Sequence, residues 1–302
     1  MNYQKRKKLI DVFFQGLFAL AAMISASMIV FIVIFIVVKG VSVFLPNYTN
    51  PISLFKFLGG LTWRPDQGLY GVLFIVINTL ISAFIAILLA FPIAVLTALY
   101  IAKIAPKSIS KILTTVIELL AAIPSVVYGV FAVGVIVKGV DNLAQIFNYS
   151  TFGGRSLLAV SILLAIMILP TMTSLSIVAI KSVKKELIHA SLALGASEVQ
   201  TNFKVVLPAA KSGIFSGLTL GLARAFGEAT AVSMVAGNRS IGPTLNPFNI
   251  TRTLTSTMLS GLNETTGLDY DVRYSVGIVL MLTIIISNIV ISYVKKRVGS
   301  EV

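Results

Sequence analysis

Three ionisable side chains fall where an apolar chain accommodates charge least: Glu118, Arg224 and Glu228 each lie within or beside a long hydrophobic run. A charge at the centre of a spanning helix costs about 2.5–3.5 kcal/mol on insertion scales, so such groups face protein or water and carry function. Arg224 and Glu228 are four residues apart, which on a helix places them on one face and lets them neutralise each other. Two roles compete for Arg224. Its guanidinium can grip a tetrahedral oxyanion bidentately. Alternatively it is a structural or gating charge, paired with Glu228 or with Glu118 across a bundle, and it changes partners as the protein changes state. Glu118 shares a small, partly polar stripe with Ala122, Ser125 and Gly129, which makes Ser125 a further candidate. Within that stripe Pro124 deprives the carbonyl of Leu120 of its hydrogen bond, an interruption tolerated where a helix lines protein or a water-filled path. Other chemistry is scarce. The chain has no cysteine and one histidine, which rules out a thiolate metal site and leaves little for a histidine one. It shows no nucleophile-base constellation and no phosphate-cradling Walker pattern, so it reads as neither an enzyme nor a binder of metal or cofactor.

The elements that position these residues follow from composition. With 57% apolar and 12% charged residues, 302 residues cannot cover a soluble globule, and the chain belongs in a bilayer. Six runs are long enough to cross it as helices: Leu9–Val38, Val72–Ile101, Ile112–Val137, Leu157–Ile180, Ile214–Ala236 and Ser275–Val294. The sequence therefore predicts an all-α integral membrane protein, one domain over 1–302, with a first helix at 9–38 and a five-helix core over 72–294. The first run follows Lys5-Arg6-Lys7-Lys8 but outlasts a signal-peptide core, so it reads as a retained helix. In the fifth run Gly213, Gly217 and Gly221 repeat at a spacing that lets another helix approach closely.

The net charge of +13 invites a nucleic-acid reading, but its distribution argues otherwise. Fifteen Lys and Arg residues fall in the terminal segments and the even-numbered loops, and eight fall in the odd-numbered loops. By the positive-inside rule both termini are cytoplasmic. The outer loop Gly40–Tyr70 carries Trp63, read as an interfacial anchor. The outer loop Gly237–Tyr274 carries Leu254–Leu262, read as a short surface helix, and loops of this kind suit docking of an outside partner.

The inner loop 181–211 is the most ordered polar insert. Gly195 fits the left-handed position that ends a helix. Ser197 and Gln200 form a capping-box start for a second helix carrying Val199, Phe203 and Val206, which Pro208 stops. A helix-turn-helix that reads DNA would look similar, but about thirty residues tethered to two spans leave no room for a supporting helix. Docking to a membrane-associated protein is the better reading, and no nucleic-acid partner is expected.

This insert resembles the EAA loop of binding-protein-dependent ABC importer permeases. Ala190 and Ser191 stand at the two alanine positions, Gly195 at the glycine, and Val205, Leu207 and Pro208 at the terminal triplet, with both spacings kept. His189 occupies the glutamate position, a departure, with Glu186 one turn earlier. Glu118–Gly129, Arg224–Asn238, Trp63-Arg64-Pro65 and Tyr70-Gly71 are similar to phosphate permeases of PstC type, and the likeness covers nearly the whole chain. The resemblance implies the type I (MetI-like) permease fold and a coupling role for His189, Ala190, Ser191, Gly195, Leu207 and Pro208 against a separate ATPase. It further implies a second homologous permease subunit, two cytoplasmic ATPase subunits, an extracytoplasmic phosphate-binding protein and surrounding lipid, in a bacterial or archaeal cytoplasmic membrane. Sulfate and molybdate are alternative substrates on the same fold, and an ATP-independent ion-coupled transporter is the alternative of another class.

Overall fold

The computed structural model describes residues 3–299. Met1, Asn2 and residues 300–302, included in the single-domain reading, lie outside the described residues. The chain runs α1 (Tyr3–Ser42), α2 (Leu54–Gly59), the short strands β1 (Trp63–Arg64) and β2 (Leu69–Tyr70), and α3 (Leu73–Leu99). It continues through α4 (Lys107–Ala122), α5 (Ser125–Phe131), α6 (Lys138–Ile146), α7 (Leu157–Lys181), α8 (Lys185–Ala193), α9 (Glu198–Thr201) and α10 (Leu207–Gly227). It ends with α11 (Thr230–Val235), α12 (Leu254–Leu259) and α13 (Leu268–Gly299). π-Helical turns Tyr100–Ile104, Ala132–Val137 and Asn202–Val206 extend α3, join α5 to α6 and join α9 to α10. Among the described residues six helical stretches are long and apolar enough to cross a membrane: Ile10–Ser42, Leu73–Ile104, Ser125–Ile146, Leu157–Lys181, Glu198–Gly227 and Leu268–Arg297.

Two of the six differ from expectation. The third does not occupy 112–137: the chain breaks at Ile123 (φ −64°, ψ 129°) and Pro124, so α4 is a separate helix and the membrane-length segment begins at Ser125. Proline removes one amide and forces the preceding residue out of helical geometry. The fifth begins at Glu198 and ends at Gly227 instead of covering 214–236. Pro208 does not stop it. The π turn shifts the hydrogen-bond register, with Leu207 bonded back to Asn202, and Pro208 falls in the first turn of α10, where the register has just changed.

Small residues hold the core together. On α3, Ala83, Ala86, Ala90, Ala94 and Ala98 form one stripe, each at most 2% exposed, packed on α7. On α10, a Cβ at Gly213 would lie 2.5 Å from Ala179 Cβ, and one at Gly221 2.7 Å from Met172 Cγ. The glycine stripe thus seats α10 directly on α7, as its spacing implied. The first helix is peripheral: among the described residues it packs on α13, where Ser275 donates to the Gly40 carbonyl at 2.6 Å and Lys39 pairs with Asp271 at 3.5 Å.

The segments that the charge pattern reads as outer loops fold together as one layer. Trp63 is 3% exposed and meets Tyr70 edge-on in a cluster with Phe57, Phe74, Leu254 and Val276, so it is a core residue of the outer layer and not an interfacial anchor. Helix α12 is buried over Leu254–Thr257 and is not a surface helix. Two buried polar residues of α3 anchor this layer: Asn78 accepts from the Thr244 amide at 2.7 Å, and Thr79 from the Leu254 amide at 3.0 Å.

Candidate functional site

The carboxylate and guanidinium expected on one helical face are separated. Glu228 (φ −78°, ψ 112°) lies just beyond α10 in extended geometry. Its carboxylate accepts the Ala231 amide at 2.9 Å, capping α11, and its carbonyl accepts from the Thr255 hydroxyl at 2.7 Å. The residue is the joint between two helices, and an acidic side chain suits the positive end of α11. Arg224 remains on α10, half-buried, and donates to Thr171 Oγ1 on α7 at 3.0 Å. Among the described residues no ion pair joins Arg224 to Glu228 or to Glu118. The expectation of pairing failed because it assumed an unbroken helix through Glu228.

The second broken helix lies beside the first. Helix α5 packs on α11, and a Cβ at Gly129 would come within 2.6 Å of Met234 Sδ. The Leu120 carbonyl, denied an amide by Pro124, accepts the Tyr128 hydroxyl at 2.8 Å beside a longer bond from the Ile123 amide at 3.4 Å. Tyr128 shares an apolar cluster with Leu222 and Ala225, neighbours of Arg224 on α10. Ser125 opens α5 and is half-buried. Arg224, Thr171, Tyr128 and Glu228 therefore lie on elements that pack together where two interrupted helices meet, and Ser125 begins one of those elements. Glu118 does not join them. It sits exposed on α4, outside the six membrane-length segments, at a cavity of about 410 Å³ shared with Lys107, Ser110, Lys111, Thr114, Thr115 and Lys181.

The inner loop forms as its residues dictate. Gly195 takes φ +85°, its amide donates to Leu192, and the Ala196 amide donates to Ser191, which closes α8 by a Schellman turn. Ser197 and Gln200 make both bonds of the capping box that starts α9. Ser191 and Thr201 hydroxyls meet at 2.9 Å and tie the two helices. Leu194 is 90% exposed at the tip, with Leu187, Val199 and Phe203 also exposed. His189 and Ala190 are exposed on α8, whereas Val206 is buried and Leu207 packs against the cluster of Ala98, Leu99, Ile101, Ile117, Ile177 and Ile180. Ile188 of α8 joins the same cluster, so the loop is mechanically continuous with α3, α4, α7 and α10.

Sequence reasoning missed Thr171, Tyr128 and the buried arginines. Arg252 is 8% exposed and donates to the Arg239 carbonyl at 2.7 Å and the Asn238 carbonyl at 2.8 Å. Burial, and then the nearby Arg273 charge, lower its pKa to about 10, so it stays protonated at neutral pH. Arg273 donates to the carbonyls of Thr257 and Ser260 at the end of α12. Both hold the outer layer in shape. Isolated external arginines carry no sequence signal for such burial.

Known proteins agree with this architecture. Residues 90–300 match the family model of the binding-protein-dependent transport system inner membrane component, and the chain belongs to that family. It is an integral, multi-pass permease subunit of an ABC importer, and not itself an enzyme. The chain is 40% identical to the probable ABC transporter permease protein YqgH of Bacillus subtilis over 279 residues, 91% of this chain and 87% of that one. It is 32% identical to the phosphate transport system permease protein PstC of Pasteurella multocida over 265 residues, 82% of each. Among solved structures, a bacterial importer of the acidic polysaccharide alginate matches with a TM-score of 0.62 at 17% identity, covering 93% of this chain and 96% of that one. The MetNI methionine transporter in an inward-facing conformation matches with a TM-score of 0.53 at 20% identity, covering 78% and 99%.

Proposed function

We propose that this permease conducts inorganic phosphate across a bacterial or archaeal cytoplasmic membrane, forming half of the pathway with a second homologous subunit. The observation that carries the reading is Arg224: one hydroxyl contact, no carboxylate partner among the described residues, and a position where two interrupted helices meet. A guanidinium so placed keeps donors available for a tetrahedral oxyanion. Glu228 and Tyr128 shape the site, one by capping α11 and the other by satisfying the carbonyl left by Pro124. The likeness to the PstC permease supports phosphate over sulfate or molybdate. In this reading both termini and the 181–211 loop are cytoplasmic. Leu194 and its apolar neighbours seat in one of two ATPase subunits, and a phosphate-binding protein delivers substrate from outside. Movement of the loop reaches α3, α4, α7 and α10 through the cluster around Ile101 and Ile180.

Phosphate uptake by substituted complexes tests the assignment. Arg224→Gln should cut uptake by about tenfold or more at normal assembly, the loss of one charge-assisted contact of about 1.5–3 kcal/mol. Glu228→Gln keeps an oxygen that can accept the Ala231 amide and should retain most uptake, whereas Glu228→Ala should lose it. Near-normal uptake in Arg224→Gln would sink the role given to the guanidinium.

A further inference from the structure

The cavity beside Glu118 has a lining that the pathway through Arg224 does not explain. Lys107 and Lys111 from α4 and Lys181 from the end of α7 converge on about 410 Å³ with Ser110, Thr114 and Thr115. Glu118 is the single acidic residue of the lining. Among the described residues, none of the three lysines makes an ion pair or hydrogen bond. Two of them sit within the first five residues of α4, whose first turn has no acidic residue, and cations at that end oppose the helix dipole. The three exposed ammonium groups have no ion-pair partner among the described residues and are open to a soluble anion.

Helix α7 connects this cavity to the arginine. Thr171, which holds Arg224, lies on one helical face with Ser174, Val178 and Lys181; Thr171 and Ser174 are half-buried, Val178 and Lys181 exposed. Thr171 and Lys181 are ten residues apart, about 15 Å at helical rise. We propose that Lys107, Lys111 and Lys181 form a second binding site for a tetrahedral oxyanion, the last station of the path that starts at Arg224. Naming substrate phosphate as its occupant rests on the importer reading above. Ser110 and Thr114 donate their hydroxyl protons to the carbonyls of Ile101 and Ser110, so the ammonium groups supply the binding. Lysine binds phosphate as a mobile point charge, unlike the bidentate fork of arginine, which suits a site that must release its ligand. The phosphoryl group of an anionic lipid has the same chemistry, and Ile112, Val116 and Leu119 of α4 are exposed nearby to meet its acyl chains.

The chain has no cysteine, so Thr115→Cys places a unique thiol of this subunit in the cavity. The complete importer carrying it is reconstituted in phosphatidylcholine vesicles, and modification of the subunit by anionic and cationic thiosulfonates is followed by mass spectrometry. The anionic reagent should react several-fold faster, and millimolar inorganic phosphate should slow it several-fold. Both effects should vanish with Lys107→Gln, Lys111→Gln and Lys181→Gln together, weaken with Lys181→Gln alone, and persist when all three become Arg. Slowing by phosphatidylglycerol in place of free phosphate would keep the site and assign it to a lipid headgroup. Slowing by sulfate but not by phosphate would keep the site while refuting the phosphate reading. Equal rates for the two reagents with no protection, or protection undiminished in the Gln variants, overturns the proposal.

Discussion

Tyr128 illustrates how a single side chain makes a broken membrane helix affordable. Pro124 leaves the Leu120 carbonyl without its helical amide, and the Tyr128 hydroxyl takes that place at 2.8 Å. In Tyr128→Phe the carbonyl loses the shorter of its two bonds at nearly constant volume and keeps the Ile123 amide at 3.4 Å, so stability should fall by about 1 kcal/mol, the worth of such a bond. Denaturant unfolding of the purified permease measures it, and an unchanged midpoint would show that the bond contributes nothing. Pro124 and its orphaned carbonyl were legible in the sequence. Tyr128 was not, because its reach back across the break depends on an angle that no spacing encodes. The same limit governs Arg224 and Glu228. Their spacing implies one face only while the helix continues, and Glu228 is the residue at which it ends.

At the scale of elements, the inner loop was read closely because its signals are local. Gly195, Ser197 and Gln200 each act on backbone groups within a few residues, and all three do in the structure what their types imply. A Cβ at Gly195 meets nothing within 4 Å, so substitution there strains only the backbone at φ +85°. A β-branched residue in that conformation costs about 1–2 kcal/mol, whereas asparagine tolerates it. Gly195→Val should therefore depress substrate-stimulated ATPase activity and uptake together while membrane insertion stays normal, and Gly195→Asn should retain most of both. Full coupling in Gly195→Val would mean that the Schellman turn is dispensable. The ends of the third and fifth spans were less legible. Hydropathy continues through Ile123 and Glu228, and the breaks accompany the backbone demands of Pro124, the local bond of Glu228 to the Ala231 amide and its tertiary bond to Thr255.

For the whole molecule, length and apolarity were sufficient to give six helices, because the bilayer imposes both. They said little about the outer layer. Trp63, Thr253 and Arg252 look like loop residues in sequence, yet all three are buried, Trp63 in a cluster with residues of α3 and α13 and Arg252 by its bonds to the Asn238 and Arg239 carbonyls. The 181–211 loop packs on α3, α4, α7 and α10, and Arg224 lies on α10. In the proposed reading that arrangement supplies a receiving face, a coupled face and a polar contact on the way. Its central claim is ATP-driven phosphate import, and one measurement addresses it most directly. The chain, its companion permease, the ATPase and the binding protein are reconstituted in vesicles, and accumulation of labelled phosphate is followed with and without ATP beside labelled sulfate and molybdate. The account predicts accumulation of phosphate that requires ATP and exceeds that of either other oxyanion. Phosphate entry that is indifferent to ATP, or a preference for sulfate or molybdate, would contradict it.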